Sequence, residues 1–361
     1  MNNIKKIGLT ALAGSLVSLG SAVAGEMSVS GAINATLKFG KPNQGNNTAR
    51  SIGTDRDVTF SGGGELDNGT TFSMSTTLTD DYAVSGSTTT ITTPSFGSFT
   101  MGASNGSASY MYDEEVPKAY EEASDGKQTM ANIVGNFMDN NHVMYTPPSV
   151  DFMGATFQGH IGYSPQATDT TVADGGQSTY SQTWGAGHEL GLTITYDALK
   201  LGFYGAERDN TTPNATSGQL ISDEFNGAWY AKYTMGPVSI GYSETYLDGG
   251  VTQGLENTTA SKTERTAGGI FTGEQMSIAF NVNENMSISY TSSDETYDTQ
   301  DDAVTASTDD DDVTETIDAI QVAYSMGGMS IKAYQMEVTN PDQDQDAADA
   351  SITEIALGFA F

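Results

Sequence analysis

The C-terminal stretch "SITEIALGFAF" (Ser351–Phe361) decides the fold. From Ile355 onward every second residue is large and apolar: Ile355, Leu357, Phe359 and Phe361. A period of two is the signature of a strand with one apolar face. Free chain ends are ordinarily polar and frayed. A terminal strand of this kind needs a neighbour along each edge, which a closed barrel supplies.

The same alternation recurs along the chain. In "MSVSGAINATLKF", Met27, Val29, Ile33, Leu37 and Phe39 share one parity, while Ser28, Ser30, Asn34, Thr36 and Lys38 share the other. "TFSMSTTL", "ATFQGHIGY", "ELGLTITY", "LKLGFYG", "VSIGYS", "MSIAFNV", "MSISY" and "AIQVAYSM" repeat it. No segment has a convincing helical period. The face opposite the apolar one is Ser, Thr, Asn, Gln and Gly.

A soluble sandwich would also alternate, so the connections decide. Short turns such as "LDNG", "MGP", "NEN" and "GG" alternate with long connections near 41–53, 80–87, 103–140, 165–184, 208–222, 248–262, 298–313 and 339–350. Short turns on one rim and long loops on the other describe an all-β, transmembrane antiparallel β-barrel of about sixteen strands, with short periplasmic turns and long extracellular loops. The stretch 262–282 is too long for one spanning strand, and "TGEQ" is a possible hidden turn. Ile355, Leu357, Phe359 and Phe361 are expected to face lipid.

The N-terminus fits export. Lys5 and Lys6 precede an apolar run from Ile7 to about Leu19, followed by Ala22-Val23-Ala24. Residues 1–24 read as a signal peptide and 25–361 as the barrel. Without Lys5 and Lys6, 12 basic side chains stand against 46 acidic ones. That balance excludes nucleic acid as a partner. It fits a filter for cations. The chain has no cysteine, so a core or a closed hydrogen-bonded sheet must hold it.

No catalytic site is expected. His142, His160 and His188 are scattered over different strands, and no nucleophile elbow stands out. Asp342, Asp344 and Asp346 have calcium-loop spacing but lack the accompanying Gly and Glu. "SGGGE" lacks the following GK[ST] of a phosphate loop. No metal and no cofactor are expected.

With these features in place, the chain resembles the general, trimeric, sixteen-stranded porins of Gram-negative outer membranes. "RDVTFSGGGELDNGTTFSMS" resembles the hairpin of the second and third strands. "FGSFTMG" resembles the strand leading into the long third loop, and "NHVMYTPP" the strand that follows it. Phe361 resembles the terminal signature that outer-membrane proteins present to their assembly machinery. The resemblance implies an outer-membrane location, a homotrimer, and a passive channel for small hydrophilic solutes and cations. It also implies that the third loop, 103–140, folds into the lumen. That loop would present Asp113, Glu114, Glu115, Glu121, Glu122 and Asp125 to the pore.

Family porins oppose such acids with bases on the barrel wall. Parity places Lys38 on the lumen face, and Lys232 and Lys332 are further inward candidates. Arg56 opens the second strand in a similar place, although its parity with Val58 and Phe60 leaves an outward orientation open. Two bases of the family pattern are missing: Ala103 and Met144 stand at those positions. The net acidity and these missing bases favour a cation-preferring pore. The alternative is a plugged structural or adhesive surface barrel whose acidic loops bind cations, and conductance separates the two.

Overall fold

The computed structural model describes residues 26–41, 50–79, 83–103, 106–123, 138, 142–167, 184–210, 220–249, 251–252, 270–298, 312–343 and 347–361. The expected signal peptide, residues 1–24, lies outside the described residues. So do Asp125 and the acidic run 309–311.

Sixteen antiparallel strands close into one barrel. In chain order they are β1 (Glu26–Lys41), β2 (Arg50–Glu65), β3 (Thr71–Leu78), β4 (Val84–Thr93), β5 (Gly97–Ala103), β6 (His142–Thr146, resumed at Val150–Phe152), β7 (Ala155–Ser164) and β8 (Trp184–Tyr196). The second half comprises β9 (Leu199–Asn210), β10 (Glu224–Met235), β11 (Val238–Asp248), β12 (Ile270–Asn281), β13 (Met286–Asp298), β14 (Val313–Met326), β15 (Met329–Thr339) and β16 (Ala350–Ala360). Pro147 and Pro148 explain the break in β6, because proline donates no ladder hydrogen bond. Of the long stretch 262–282, the described residues from Ile270 on form one strand, β12, which runs through "TGEQ" without a turn.

Closure answers the puzzle of the C-terminus. β1 pairs with β2 along one edge and with β16 along the other, from Ala32↔Ala360 to Lys41↔Ser351. Phe361 extends the ladder by one step: its N–H and C=O bond Gly31 at 3.0 and 2.9 Å. Its ring lies over Gly31, where a Cβ would stand 2.5 Å from the ring. Glycine leaves room for the aromatic cover at the seam. In hydrocarbon an unpaired backbone group costs several kcal/mol, so the terminal strand is fixed where a soluble chain end would fray.

The two faces separate as the alternation requires. Met27, Val29, Leu37 and Phe39 of β1, Met276 and Ile278 of β12, and Ile355, Leu357 and Phe359 of β16 are large, apolar and exposed. No protein core covers them, so they form the lipid-facing band. The buried residues lie on the other face, in two main clusters inside the barrel. Both are assembled around a segment of the third loop.

Candidate functional site

The third loop enters the lumen from β5, and its described part, 106–123, runs along the inner wall from β8 to β16. A single 3₁₀ turn, Ala108–Met111, begins it, with the Ser107 hydroxyl accepting from the Ser109 N–H. Glu189 of β8 anchors this turn. Its carboxylate accepts from the Ser107 hydroxyl at 2.8 Å, the Ala108 N–H at 3.0 Å and the Tyr204 hydroxyl at 3.0 Å.

Tyr112 then packs between strands. It stacks on Tyr204, with ring centroids 5.4 Å apart, and lies against Tyr230 and His160. Gly191 makes the seat, since a Cβ there would stand 2.6 Å from the Tyr112 ring. Met144 belongs to the same buried cluster. The position where the family pattern carries a base is therefore an apolar support for the loop. Burial pushes the Tyr112 hydroxyl up to about 12.

Backbone contacts carry the loop onward. The Pro117 carbonyl accepts from Ser277, and the Ala119 N–H donates to the Ser289 hydroxyl at 2.9 Å. The Tyr120 N–H donates to Gln321 at 2.8 Å, and Gln321 donates back to the Glu121 carbonyl at 2.6 Å. The Tyr120 hydroxyl donates to Glu354 at 2.8 Å. Burial and the carboxylates of Glu121 and Glu354 raise its pKa. These strand partners lie far along the chain and give the irregular loop the hydrogen bonds its buried backbone requires.

The five described loop acids differ in environment. Glu114 is buried and accepts a hydrogen bond from Gln275 at 2.5 Å. Burial, then the charges of Glu122 and Asp113, raise its pKa well above the ordinary carboxylate range. Glu115 faces Lys232 and Lys200, the latter at 3.7 Å. Glu122 pairs with Lys118, which also donates to the Glu114 carbonyl. Burial opposes the Lys118 ammonium, but Glu122 and Glu114 outweigh it and hold its pKa up. Asp113 and Glu121 are partly buried on the same segment.

Lys38, Lys232 and Lys332 all project into the barrel. Lys38 pairs with Glu354 at 3.2 Å. Lys332 lies 4.2 Å from the centroid of the Tyr120 ring. Arg56 does not join them: it pairs in register with Ile33, so it shares the outward face with Ile33 and Phe60. Its position at the start of β2 suggested a lumen base, but pleat parity overrides position along the strand.

Several lumen charges were missed from the sequence, Glu189, Glu224 and Glu354 among them. Lys200 stands directly opposite Lys232 on β9, and Asp55 and Asp57 share the inner face of β2 with Ser51, the partner of Lys38. Parity in "LKLGFYG", against Leu199 and Leu201, would have found Lys200. On the facing wall the inward residues of β3–β5 are Thr71, Ser73, Ser75, Thr77, Gly86, Thr88, Thr90, Thr92, Ser98, Thr100 and Gly102. Hydroxyls there bond one another, as Thr90 and Thr100 do at 3.1 Å. The charges thus lie on the loop and on the walls it crosses or nears, while β3–β5 are neutral.

A closed sixteen-strand barrel, apolar outside, polar inside and narrowed by an inserted loop, defines a class: the outer-membrane channel. The family model described as Gram-negative porin matches residues 8–361. The chain belongs to the Gram-negative porin family, and its place is the outer membrane. Among solved structures, the barrel resembles the anion-selective porin from Comamonas acidovorans, at 11% identity and TM-score 0.63, covering 93% of this chain and 100% of that one. It resembles a porin refined at 1.8 Å at 14% identity and TM-score 0.61, covering 93% and 100%. It also resembles the in-vitro folded trimer form of OmpT from Vibrio cholerae, at 15% identity and TM-score 0.60, covering 94% and 100%. No curated protein matches the sequence significantly.

Proposed function

We propose that the protein is a passive, cation-preferring channel for small hydrophilic solutes, working without bond-making residues. The observation that carries this reading is the path of the third loop: after Gly106, which lies beside Thr88, its residues 107–123 run along the other side of the lumen and make no described contact with the hydroxyl wall of β3–β5. A solute passing there exchanges hydration water for hydroxyls that both donate and accept. Selectivity then follows the sign of the lining charge.

That sign favours cations. On the loop and the inner wall together, Asp55, Asp57, Asp113, Glu115, Glu121, Glu122, Glu189, Glu224 and Glu354 outnumber Lys38, Lys118, Lys200, Arg208, Lys232 and Lys332. Each base also has a carboxylate or an aromatic ring beside it, which weakens its reach into the lumen. The homotrimer expected from the sequence has support in the trimer form of OmpT. Lipid would contact the outward band, and the strand ending in Phe361 would be what the assembly machinery reads.

Purified protein in a planar bilayer tests the reading. Stepwise conductance is the expected result. Correctly folded barrels that give no steps would leave the plugged surface barrel.

A further inference from the structure

Lys200 and Lys232 are direct cross-strand partners on the lumen wall. Like charges so placed repel each other. Lys38, Lys118 and Arg208 each face a carboxylate of their own: Glu354, Glu122 and Glu224. Lys200 and Lys232 share one, Glu115. The site therefore keeps an excess of positive charge inside an acidic protein.

We propose that Lys200, Lys232 and Tyr230 form a subsite for the carboxylate of a small organic acid, and that Glu115 of the loop occupies it when no solute does. The resident carboxylate shows which chemistry the site fits. Both lysine side chains are partly exposed, at 41% and 25%, as is Glu115 at 26%. An incoming carboxylate can thus approach the pair as Glu115 swings aside. The Tyr230 ring supports both lysines, with their Nζ atoms 5.4 and 5.3 Å from its centroid. Its hydroxyl is buried on the side of Lys200 and Thr193.

Exchange of one carboxylate for another breaks no covalent bond and leaves the pair's charge balance unchanged. The subsite would slow organic acids or zwitterions at the constriction while inorganic cations pass. It rests on the reading of the lumen as the passage, and it adds a solute class to that reading.

Succinate is the probe, titrated calorimetrically into detergent-folded protein and added to the bilayer during single-channel recording. Heat-modifiable migration checks that each variant is folded. Glu115→Gln removes the competing carboxylate and should bind succinate about fivefold more tightly than the parent, the upper scale of a partly exposed charge contact. Adding Lys200→Gln and Lys232→Gln should abolish that binding and the succinate-induced interruptions of current. Unchanged binding in Glu115→Gln, or binding that survives loss of both lysines, overturns the proposal. Lysine-dependent binding in a barrel that never conducts would preserve the subsite and remove the channel reading. Conductance without lysine-dependent binding would do the reverse.

Discussion

Two parts of the same lumen wall, β3–β5 and β9–β10, are built to opposite rules. On β3–β5 the inward residues are Ser, Thr and Gly, and no charge points inward. On β9–β10 the inward face carries Lys200, Lys232, Arg208 and Glu224, with Tyr204 and Tyr230 between them. Among the described residues, the loop segment 107–123 lies against the second region and not against the first. Aromatic faces and opposed charges hold an irregular segment in place, whereas small hydroxyls leave a wetted surface. The difference shows that in this barrel much of the lumen charge is engaged in seating the constriction. On the proposed reading, only the remainder would filter ions.

The strongest way to break this comparison is to charge the neutral wall. Thr90→Arg, on the inner face of β4, places a base across from the loop acids. It should move the zero-current potential toward anions by on the order of 10 mV under a tenfold KCl gradient, because a new charge near the passage has no carboxylate of its own. An unmoved potential would mean ions do not pass that wall.

A smaller effect sharpens the picture of the charged side. Glu114 is an acid that adds little charge: burial holds its folded pKa above its unfolded value. The folded state therefore keeps the proton longer than the unfolded chain does. The stability this provides is present at low pH and is lost as pH rises from the ordinary carboxylate range through the raised folded value. Gln has no proton to lose. Glu114→Gln should match the parent near pH 4 and exceed its heat-modification temperature near pH 8 by about 2–4 °C. Equal temperatures at both pH values would show that Glu114 is not held neutral.

Much of this was legible in the sequence, because a strand is a local pattern. Alternation at Val29, Leu37, Ile355 and Phe359 gives the outward band, and the turn lengths give the barrel. Lys38, Lys232 and Lys332 follow from parity alone. Arg56 went astray where position along a strand was weighed beside parity. The loop was less readable for a physical reason: it has no period. Glu114 and Glu115 are adjacent, yet one is buried against Gln275 and the other is drawn to two lysines. Their fates depend on residues some hundred positions away, on strands whose register appears only once the barrel is closed.

The central claim is that the acids of the loop set a cation preference in the passage. The most direct measurement is the zero-current potential of the parent and of Glu121→Gln/Glu122→Gln under a tenfold KCl gradient. The account predicts a cation-selective sign in the parent and a potential reduced by roughly half in the variant. An anion-selective parent, or a variant indistinguishable from it, would contradict the account.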